Sequence, residues 1–563
     1  MNDNSATGAA VGPTYPTSAD GPSNYKWKVL GTVIFGVFMV ILDSTVINVA
    51  FQTLRQEFGS NISEAQWIIS VYVLALGISM PLAGFLADRF GTKRIYLAGL
   101  SIFVLGSLAC GLSPTLGSLV AARALQGIGG GIALPLSVAL LFGAFPVAEQ
   151  GMALGIFGIA AIVAPAAGPI LGGWMIDNNL WRMIFFINPP IGLAGVVLGT
   201  IFLREVRTDR RPRLDGLGLI TEVIGFGAIL YGASTAAISG WKSPTVVAAF
   251  VVGAIGLLLF GLVELFIAKA PLLDLRLFRK RTFLNPSLLG YVSVIALFGA
   301  EFLMPLYLQA LRGLSALQTG LVLLPLAITG GIFVTVAGRL YDRIGPRPLL
   351  TVGFAILMVN TWQLSQIRAD TPLTWILVLL ALRGVALGLT VQTTLVTALS
   401  VVPMRELARG SSLSNSTRNL VQAVGVAVLA TILASTISPE IQKLQETFVQ
   451  APRSANAPTH IAGICEPVQV APAVSGSVLV SSDGATRTIP APPANLSTLL
   501  QQACDETVAG FRKAYTLTFF AAFLAMILGM LLPGWPRKWA GRRAADQPAA
   551  SHQGAPATGT ERP

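Results

Sequence analysis

Residues Val29–Ala50 read VLGTVIFGVFMVILDSTVINVA, an apolar run that contains a single carboxylate, Asp43. A helix needs about 20 apolar residues to cross the hydrocarbon core of a bilayer, and this run is long enough. An Asp near the centre of such a helix costs about 2.5–3.5 kcal/mol on insertion scales, so intramembrane carboxylates usually mark proton, ion or ligand sites. The stretch therefore predicts a membrane-spanning helix with a functional acid inside it.

The composition of the whole chain supports this interpretation. Of the 563 residues, 53% are hydrophobic and 11% are charged, whereas soluble domains carry about 25% charged residues. The net charge of +12 comes from Lys and Arg in short loops between apolar runs, which argues against nucleic-acid binding. The chain has no GxxxxGK[ST] phosphate loop and no CxxC pair, so we expect no ATP-driven step, no cofactor, no metal centre and no enzyme activity.

Fourteen apolar runs along the chain predict membrane helices. By residue number they lie at about 29–50, 65–86, 95–112, 116–143, 151–174, 183–203, 215–237, 245–267, 284–309, 317–340, 349–367, 373–400, 411–437 and 514–534. Lys and Arg are concentrated on the side of the two chain ends, so the positive-inside rule predicts that both termini are cytoplasmic. We expect a multi-pass membrane protein surrounded by lipid.

An internal repeat divides the chain into two halves. The segment Gly84–Arg94, GFLADRFGTKR, recurs as GRLYDRIGPRP at Gly338–Pro348, and the segment around Arg123 has a weaker echo around Arg383 at a similar offset. Two matches in the same order predict an all-α fold of two pseudo-symmetric six-helix bundles with two inserted helices. The predicted units are a disordered cytoplasmic N-terminus over 1–25, an N-terminal bundle over 26–203, an inserted helix pair with basic linkers over 204–282, a C-terminal bundle over 283–535 with an outside loop at 438–510, and a disordered cytoplasmic tail over 536–563.

The depth of two charged residues suggests a contact inside the N-terminal bundle. At 1.5 Å per residue, Asp43 lies about 21 Å from the inner end of the first span, and Arg123 lies about 20 Å from the inner end of the fourth. A neighbouring cation favours an ionised carboxylate, so an Asp–Arg contact that forms and breaks could release and load a proton. The alternative is a static ion pair that fixes helix packing.

Other charged residues in the spans allow more than one role. Glu301, the approximate repeat partner of Asp43, could be a second proton site or a contact for a cationic substrate, or it could simply face water. Glu222 lies on the inserted pair, where a peripheral role is more typical. Arg383 could pair with Glu301 or remain as a charge in the cavity, and Arg418 is equally ambiguous.

The loop after the second span contains charges and glycines that suggest a cytoplasmic gate. Asp88 could face the positive N-terminal end of a neighbouring helix, and the nearby basic residues could form ion pairs there. Gly84 and Gly91 suggest a tight turn that a topology signal alone would not require. The predicted gate consists of Gly84, Asp88, Arg89, Gly91, Lys93 and Arg94. The alternative is that these charges serve only to orient the protein in the membrane.

The fifth span is unusually rich in glycine and proline. Small residues allow helices to approach closely, and proline permits a bend. A tightly sealed span between the halves would suit an exporter that must not leak, although ordinary small-residue packing is the alternative. The residues concerned are Pro165, Gly168, Pro169, Gly172 and Gly173.

The outside loop at 438–510 contains two of the three cysteines. If that side is oxidising, Cys465 and Cys504 could form a disulfide worth about 3–4 kcal/mol in the loop-entropy model. Two unpaired thiols are the alternative. In the same loop, residues 482–484 read Ser-Asp-Gly between short β-prone runs, which predicts a hairpin turn.

Taken together, these motifs resemble the major facilitator superfamily and, within it, the fourteen-span drug:proton antiporters of the Emr/Qac type. The resemblance covers nearly all of residues 25–540. It rests on the first-span signature at Leu42–Ala50, the loop motif at Gly84–Arg94, the span-four motif at Arg123–Gly131, the span-five antiporter motif at Ala164–Gly173, the segment Trp181–Pro190 before the sixth span and the segment Gly410–Asn415 at the start of the thirteenth. The resemblance implies that Asp43 and Arg123 take part in proton coupling and that the loop motif latches the outward-facing state.

The sequence therefore predicts a bacterial cell-membrane protein that exports hydrophobic or cationic amphipathic compounds in exchange for protons by rocker-switch alternating access. A dedicated exporter of one metabolite or antibiotic is a second possibility, and a transporter-like membrane receptor or scaffold is a third. The predicted partners are small substrates, protons and lipid. A double-membrane bacterium could add a periplasmic adaptor and an outer-membrane channel.

Overall fold

The computed structural model describes residues 22–60, 62–205, 215–268, 271–400, 402, 406–436, 465, 478–480, 486–488 and 496–532. Within these ranges the chain is almost entirely helical. In chain order the helices are α1 Pro22–Glu57, α2 Ile62–Phe90, α3 Thr92–Gly111, α4 Leu116–Ala144, α5 Gln150–Asp177, α6 Met183–Phe186, α7 Asn188–Phe202, α8 Gly216–Ser239, α9 Pro244–Leu262, α10 Arg281–Leu306, α11 Ala316–Ile344, α12 Pro346–Leu364, α13 Leu373–Leu399, α14 Leu407–Ala434 and α15 Leu496–Met530.

Each of the fourteen predicted apolar runs coincides with helical structure. Twelve helical segments of the described chain are long and apolar enough to cross a membrane, and α10 contributes a shorter apolar stretch, Phe283–Leu297. The remaining run corresponds to α12, whose hydropathy is lowered by Arg347, Asn360 and Gln363. The prediction of a helical, multi-pass membrane protein is confirmed.

The sixth span is divided into α6 and α7 at Ile187. Pro189 and Pro190 follow at the start of α7, and neither has a backbone N–H to donate to the preceding turn. Each proline is tolerated there because the first N–H groups of a helix have no intrahelical acceptor. The break places Asn188 as the first residue of α7.

Two predicted boundaries need correction. Helix α1 begins at Pro22 rather than after residue 25, and proline is well suited to the first position of a helix. Within this first part of α1, the Tyr25 hydroxyl accepts a hydrogen bond from the backbone N–H of Arg204 at 3.2 Å. Helix α15 begins at Leu496, so residues 496–510 are helical rather than part of the outside loop. This part of α15 carries exposed polar residues such as Gln501 and Gln502, which hid it from a search for apolar runs.

The predicted hairpin in the outside segment is confirmed by its strands. Strand β1, Val478–Val480, pairs antiparallel with β2, Thr486–Thr488, in the register Leu479 opposite Arg487. The intervening residues 481–485 lie outside the described ranges, as do 1–21 and 533–563.

The two halves meet along α5 and α11. A Cβ on Gly151 of α5 would lie 2.7 Å from the carbonyl oxygen of Gly338 on α11, so the two backbones are in direct contact. On the same side of the protein, α2 packs against α14. The other face of α5 packs against α1, which carries Asp43. Helices α8 and α9 pair with each other, and α8 also packs against α2 and α14.

Candidate functional site

Asp43 and Arg123 form a fully buried ion pair in the N-terminal half. Nη1 of Arg123 donates to Oδ2 of Asp43 at 2.6 Å, and the side chains are 0% and 1% exposed. Helices α1 and α4 bring the two residues to the same depth, so the contact predicted from their positions is present.

The second oxygen of Asp43 is also satisfied. Oδ1 accepts hydrogen bonds from Nε2 of Gln126 on α4 and from Nδ2 of Asn188 on α7, both at 2.8 Å. Both oxygens of Asp43 therefore have hydrogen-bond donors, and these donors come from two different helices, α4 and α7.

Arg123 is held in place by groups from α2 as well as by Asp43. Its Nε donates to the carbonyl oxygen of Ile68 at 3.2 Å, and its guanidinium lies 4.1 Å from the ring centroid of Tyr72. Its Nη1 also donates to Oε1 of Gln126 at 2.7 Å. The cation thus has a stacking partner and several acceptors, which offset the cost of burying it.

Sequence reasoning did not select Gln126, Asn188 or Tyr72 as site residues. Gln126 follows Arg123 by three positions, a spacing that puts both on one helix face. The sequence alone could therefore have identified Gln126 as a neighbour of Arg123. Asn188 stands beside two prolines at a helix start, but nothing in the sequence shows that α7 crosses next to α1. Its Nδ2 also donates to Oγ of Ser107 at 3.1 Å, so α3 joins the network.

The glycine-rich span lies directly against this site. A Cβ on Gly168 would lie 2.2 Å from Oγ1 of Thr45, and one on Gly172 would lie 3.0 Å from the Val46 side chain. Pro169 and Gly173 are buried in the same continuous helix, and Pro165 is half-buried. The close contact with α1 falls two and three residues after Asp43. Helix α5 therefore has α1, the helix that carries Asp43, on one face and α11 of the other half on its opposite face.

The predicted gate residues form two groups of contacts. Nε of Arg409, in the first turn of α14, pairs with Oδ2 of Asp88 at the end of α2, and both side chains are largely buried. We call this Asp88–Arg409 pair the latch, because it joins the two halves. Gly84 lies beside it, where a Cβ would come within 3.0 Å of the Cα of Arg409.

The second group surrounds Glu205, at the end of the sixth span. Gly91 has φ 104°, a conformation that favours glycine, and a Cβ there would lie 2.3 Å from Oε1 of Glu205. That oxygen accepts a hydrogen bond from the backbone N–H of Lys93 at 3.0 Å, and Oε2 lies 3.6 Å from Nε of Arg94. The guanidinium of Arg89 lies 5.4 Å from the ring of Phe90. These contacts hold the loop to its own half.

The second copy of the loop motif forms the helix cap that was expected of the first. Asp342 accepts hydrogen bonds from the backbone N–H groups of Gly151 at 3.2 Å and Met152 at 3.0 Å, in the first turn of α5. A carboxylate at this position interacts favourably with the positive end of the helix. Asp88 and Asp342 therefore make two separate contacts between the halves on the same side of the protein.

The charged residues of the C-terminal half form a different arrangement. Glu301 lies within α10, but its side chain is outside the described part of the structure. Arg383 is buried at 1% exposed, and its Nη2 donates to the carbonyl oxygens of Ala296 and Leu297 on α10 at 2.9 and 2.8 Å. The position of Arg383 thus mirrors that of Arg123, but backbone oxygens of α10 are among its acceptors.

A crevice in the same half is open between α10, α13 and α14. Its walls combine apolar side chains with hydroxyl groups and one cation. The lining includes Pro286, Tyr291, Thr394, Leu395, Ser414 and Arg418. The Tyr291 hydroxyl donates to Oγ1 of Thr417 at 2.8 Å.

Cys465 and Cys504 are joined as a disulfide. Cys504 belongs to the part of α15 that precedes the apolar run, and the backbone N–H of Cys465 donates to the carbonyl oxygen of Leu311 at 3.3 Å. The disulfide therefore links the start of α15 to Cys465, and the hydrogen bond of Cys465 to Leu311 connects both to the turn that follows α10.

We expect Cys465→Ser to destabilise the protein by about 3–4 kcal/mol, because the bond closes a loop of about 40 residues in the unfolded chain. Thermal unfolding of the detergent-solubilised protein would measure this loss. Reductant should lower the melting temperature of the wild type but leave that of the variant unchanged. The disulfide would be excluded if three thiols react with a maleimide in the denatured, unreduced protein instead of Cys110 alone.

Comparison with known proteins agrees with this fold. The family model of the Major Facilitator Superfamily matches residues 33–426. The chain is 35% identical over 413 residues to the multidrug export protein EmrB of Escherichia coli K12, which covers 73% of this chain and 80% of EmrB. It is 31% identical over 422 residues to the lincomycin resistance protein LmrB of Bacillus subtilis, which covers 74% and 88% of the two chains.

A solved structure supports the same fold at lower sequence identity. The proton:xylose symporter XylE superposes with a TM-score of 0.54 at 13% identity, over 91% of this chain and 97% of XylE. The segment matched by the family model, residues 33–426, contains the buried Asp43–Arg123 pair. It also contains both copies of the loop motif and both contacts between the halves. The chain belongs to the Major Facilitator Superfamily, and its relatives include a multidrug export protein and a lincomycin resistance protein.

Proposed function

We propose that this protein exports hydrophobic and cationic amphipathic compounds from the cytoplasm in exchange for protons, by a rocker-switch movement of its two halves. The observation that carries the proposal is the buried carboxylate of Asp43, with its three donors Arg123, Gln126 and Asn188. A group of this kind can alternate between a charged state with all three donors and a protonated state with fewer of them.

The coupling step follows from the position of these donors on different helices. Gln126 and Arg123 belong to α4, whereas Asn188 belongs to α7. A movement of α1 relative to α4 or α7 would lengthen some of these hydrogen bonds and favour protonation of Asp43. Return of the donors would expel the proton, and substrate movement in the opposite direction would complete the cycle.

The contacts between the halves support the alternating-access part of the proposal. The latch and the Asp342 cap lie on the side predicted to be cytoplasmic, and both must separate before that side can open. The structure thus corresponds to a state closed on that side. Breaking the two contacts and closing the opposite side would expose the crevice near Arg418 to the cytoplasm.

The similarity to EmrB, which is named as a multidrug export protein, supports a broad range of substrates. The similarity to LmrB, which is named for lincomycin resistance, supports a second candidate, export of one antibiotic class. If the source is a double-membrane bacterium, a periplasmic adaptor and an outer-membrane channel would be partners. The disulfide-linked segment at 465–504 would lie on the side where an adaptor binds.

Transport by the purified protein in liposomes would test the proposal. Substrate efflux against its gradient should require an imposed proton gradient and should stop when a protonophore is added. A panel of dyes, quaternary ammonium compounds and lincosamides would distinguish a multidrug exporter from a specialist. Ligand binding without flux under any gradient would contradict transport and favour a receptor.

A further inference from the structure

The inserted helix pair contains two carboxylates that the proposed mechanism does not use. Glu222 lies near the start of α8, and Glu264 lies in a π-turn, Val263–Ile267, that continues α9. They are 0% and 1% exposed. Glu222 lies on the inserted pair, outside the two halves, and its side chain is completely buried there. Burial of two acids in a membrane helix pair is costly, so their retention calls for a physical explanation.

Close packing of α8 and α9 brings the two acids to one place. A Cβ on Gly225 of α8 would come within 3.0 Å of the backbone of Gly256 on α9, and one on Gly218 would lie 2.8 Å from Oε1 of Glu264. Positions 218 and 222 are four residues apart, so they share a helix face. The carboxylate of Glu264 therefore occupies the space left by Gly218, next to Glu222.

The hydrogen bonds of the two acids are incomplete within the described structure. Oε1 of Glu264 accepts a hydrogen bond from the backbone N–H of Leu272 at 3.1 Å, but its Oε2 and both oxygens of Glu222 have no donor there. The two carboxylates also repel each other electrostatically. A buried carboxylate without donors takes up a proton rather than keep an unpaired charge.

The charges on the elements packed against this pair connect it to the latch. Asp215 caps α8 by accepting from the N–H of Gly218 at 3.0 Å, and it adds to the negative potential at Glu264. Arg409 of α14 attracts Glu264 and is itself paired with Asp88 of α2. Lys269, after the π-turn, lies outside the described residues. Arg409 is thus ion-paired with Asp88, and its charge also acts at longer range on Glu264.

We propose that Glu222 and Glu264 bind a proton between them and that loss of this proton weakens the Asp88–Arg409 latch. With the proton bound, the pair carries less negative charge and Arg409 remains with Asp88. When the proton leaves toward the predicted cytoplasmic side, Glu264 competes for Arg409 and the latch opens more readily. The site would let cytoplasmic pH control the gate, and this role rests on the proposed transport function.

The opening of the latch can be measured with a thiol probe at Ser412. This residue is buried at 0% exposed on α14 and lies against Gly84 of α2, so the thiol introduced by Ser412→Cys should react slowly with a water-soluble maleimide while the latch is closed. The labelling rate compared here is the rate at each pH divided by that of the same thiol in denatured protein at the same pH, which removes the pH dependence of the thiolate itself. In full-length protein in nanodiscs, we expect this rate to rise about tenfold as pH increases, which corresponds to about 1.4 kcal/mol.

The double variant Glu222→Gln with Glu264→Gln imitates the protonated pair and should label slowly at every pH. The matched control Glu57→Gln changes an exposed carboxylate at the far end of α1 and should keep the pH dependence. Infrared difference spectra should also show that the double variant lacks a protonated-carboxyl band present in the wild type.

Equal pH dependence in the double variant and the wild type would overturn the inference, as would a labelling rate of the wild type that does not change with pH. The outcome is separable from the proposed function. If the wild type shows pH-dependent labelling but no proton-driven flux, the proton site stands and the transport proposal fails. If flux is proton-driven but the pH dependence of labelling is the same with and without Glu222 and Glu264, the transport proposal stands and the proton site at these two residues is rejected.

Discussion

Asp43→Asn is expected to reduce uphill, proton-driven export by at least about a hundredfold, equal to about 2.7 kcal/mol in the coupled step. The amide keeps the shape of the side chain but does not ionise, so it cannot bind and release a proton during the cycle. It also leaves Arg123 buried without a counter-charge, and removing one partner of a buried pair is strongly unfavourable. Net movement of substrate down its own gradient should persist, because the two halves can still rock.

The measurement is substrate flux in liposomes with and without an imposed pH gradient. Asp177→Asn is a suitable control, because it makes the same chemical change at an exposed position at the end of α5. Asp43→Glu tests whether a titratable acid is sufficient, and it should retain part of the coupling. Uphill export by Asp43→Asn at the wild-type rate would show that another group carries the proton.

Gly338→Ala is expected to produce the second-largest effect, a loss of transport of about tenfold to a hundredfold. The new Cβ would lie 2.4 Å from the carbonyl oxygen of Gly151 and 3.0 Å from the Cα of Gly155. Both are backbone atoms of α5, so they can move away only if the helices separate. Overpacking of this kind costs about 1–3 kcal/mol, and the cost falls on the state in which α5 and α11 are in contact. The population should therefore shift toward the state open on the predicted cytoplasmic side.

Faster labelling of the Ser412→Cys thiol in the Gly338→Ala background would show this shift directly. Gly331→Ala supplies the matched control, because it lies two turns earlier on the same helix and a Cβ there would meet nothing nearer than Ile159 at 4.0 Å. Normal transport by Gly338→Ala, with unchanged labelling, would mean that the α5–α11 contact is not part of the cycle.

The pattern of apolar runs was enough to locate the helices, because a bilayer imposes a minimum length and excludes charge from most positions. Errors occurred where that constraint is absent. The polar start of α15 lies outside the predicted membrane region, and the first turns of α1, from Pro22, precede the apolar run and carry Lys26 and Lys28. Neither segment has the long apolar stretch that identifies a membrane helix in a sequence.

The candidate site was predictable only in part. Asp43 and Arg123 were identifiable because an ionisable group in an apolar run is conspicuous, and helix rise alone gives their depth. Asn188 and Tyr72 are uncharged and do not stand out in an apolar run, and their role depends on which helices are neighbours. The burial of Glu222 was not predictable for the same reason, since the side of α8 that faces α9 cannot be chosen from a helix that is apolar all round.

The position of α5 has a mechanical consequence. This helix contacts Thr45, two residues from Asp43, through Gly168, and it contacts the opposite half through Gly151. Neither contact leaves free space, so α5 cannot shift against α11 and keep its fit to α1 unless it bends at Pro165 or Pro169. A displacement of one half against the other would therefore be transmitted to the surroundings of Asp43, which gives the protein a mechanical route from the interface of its halves to its buried acid.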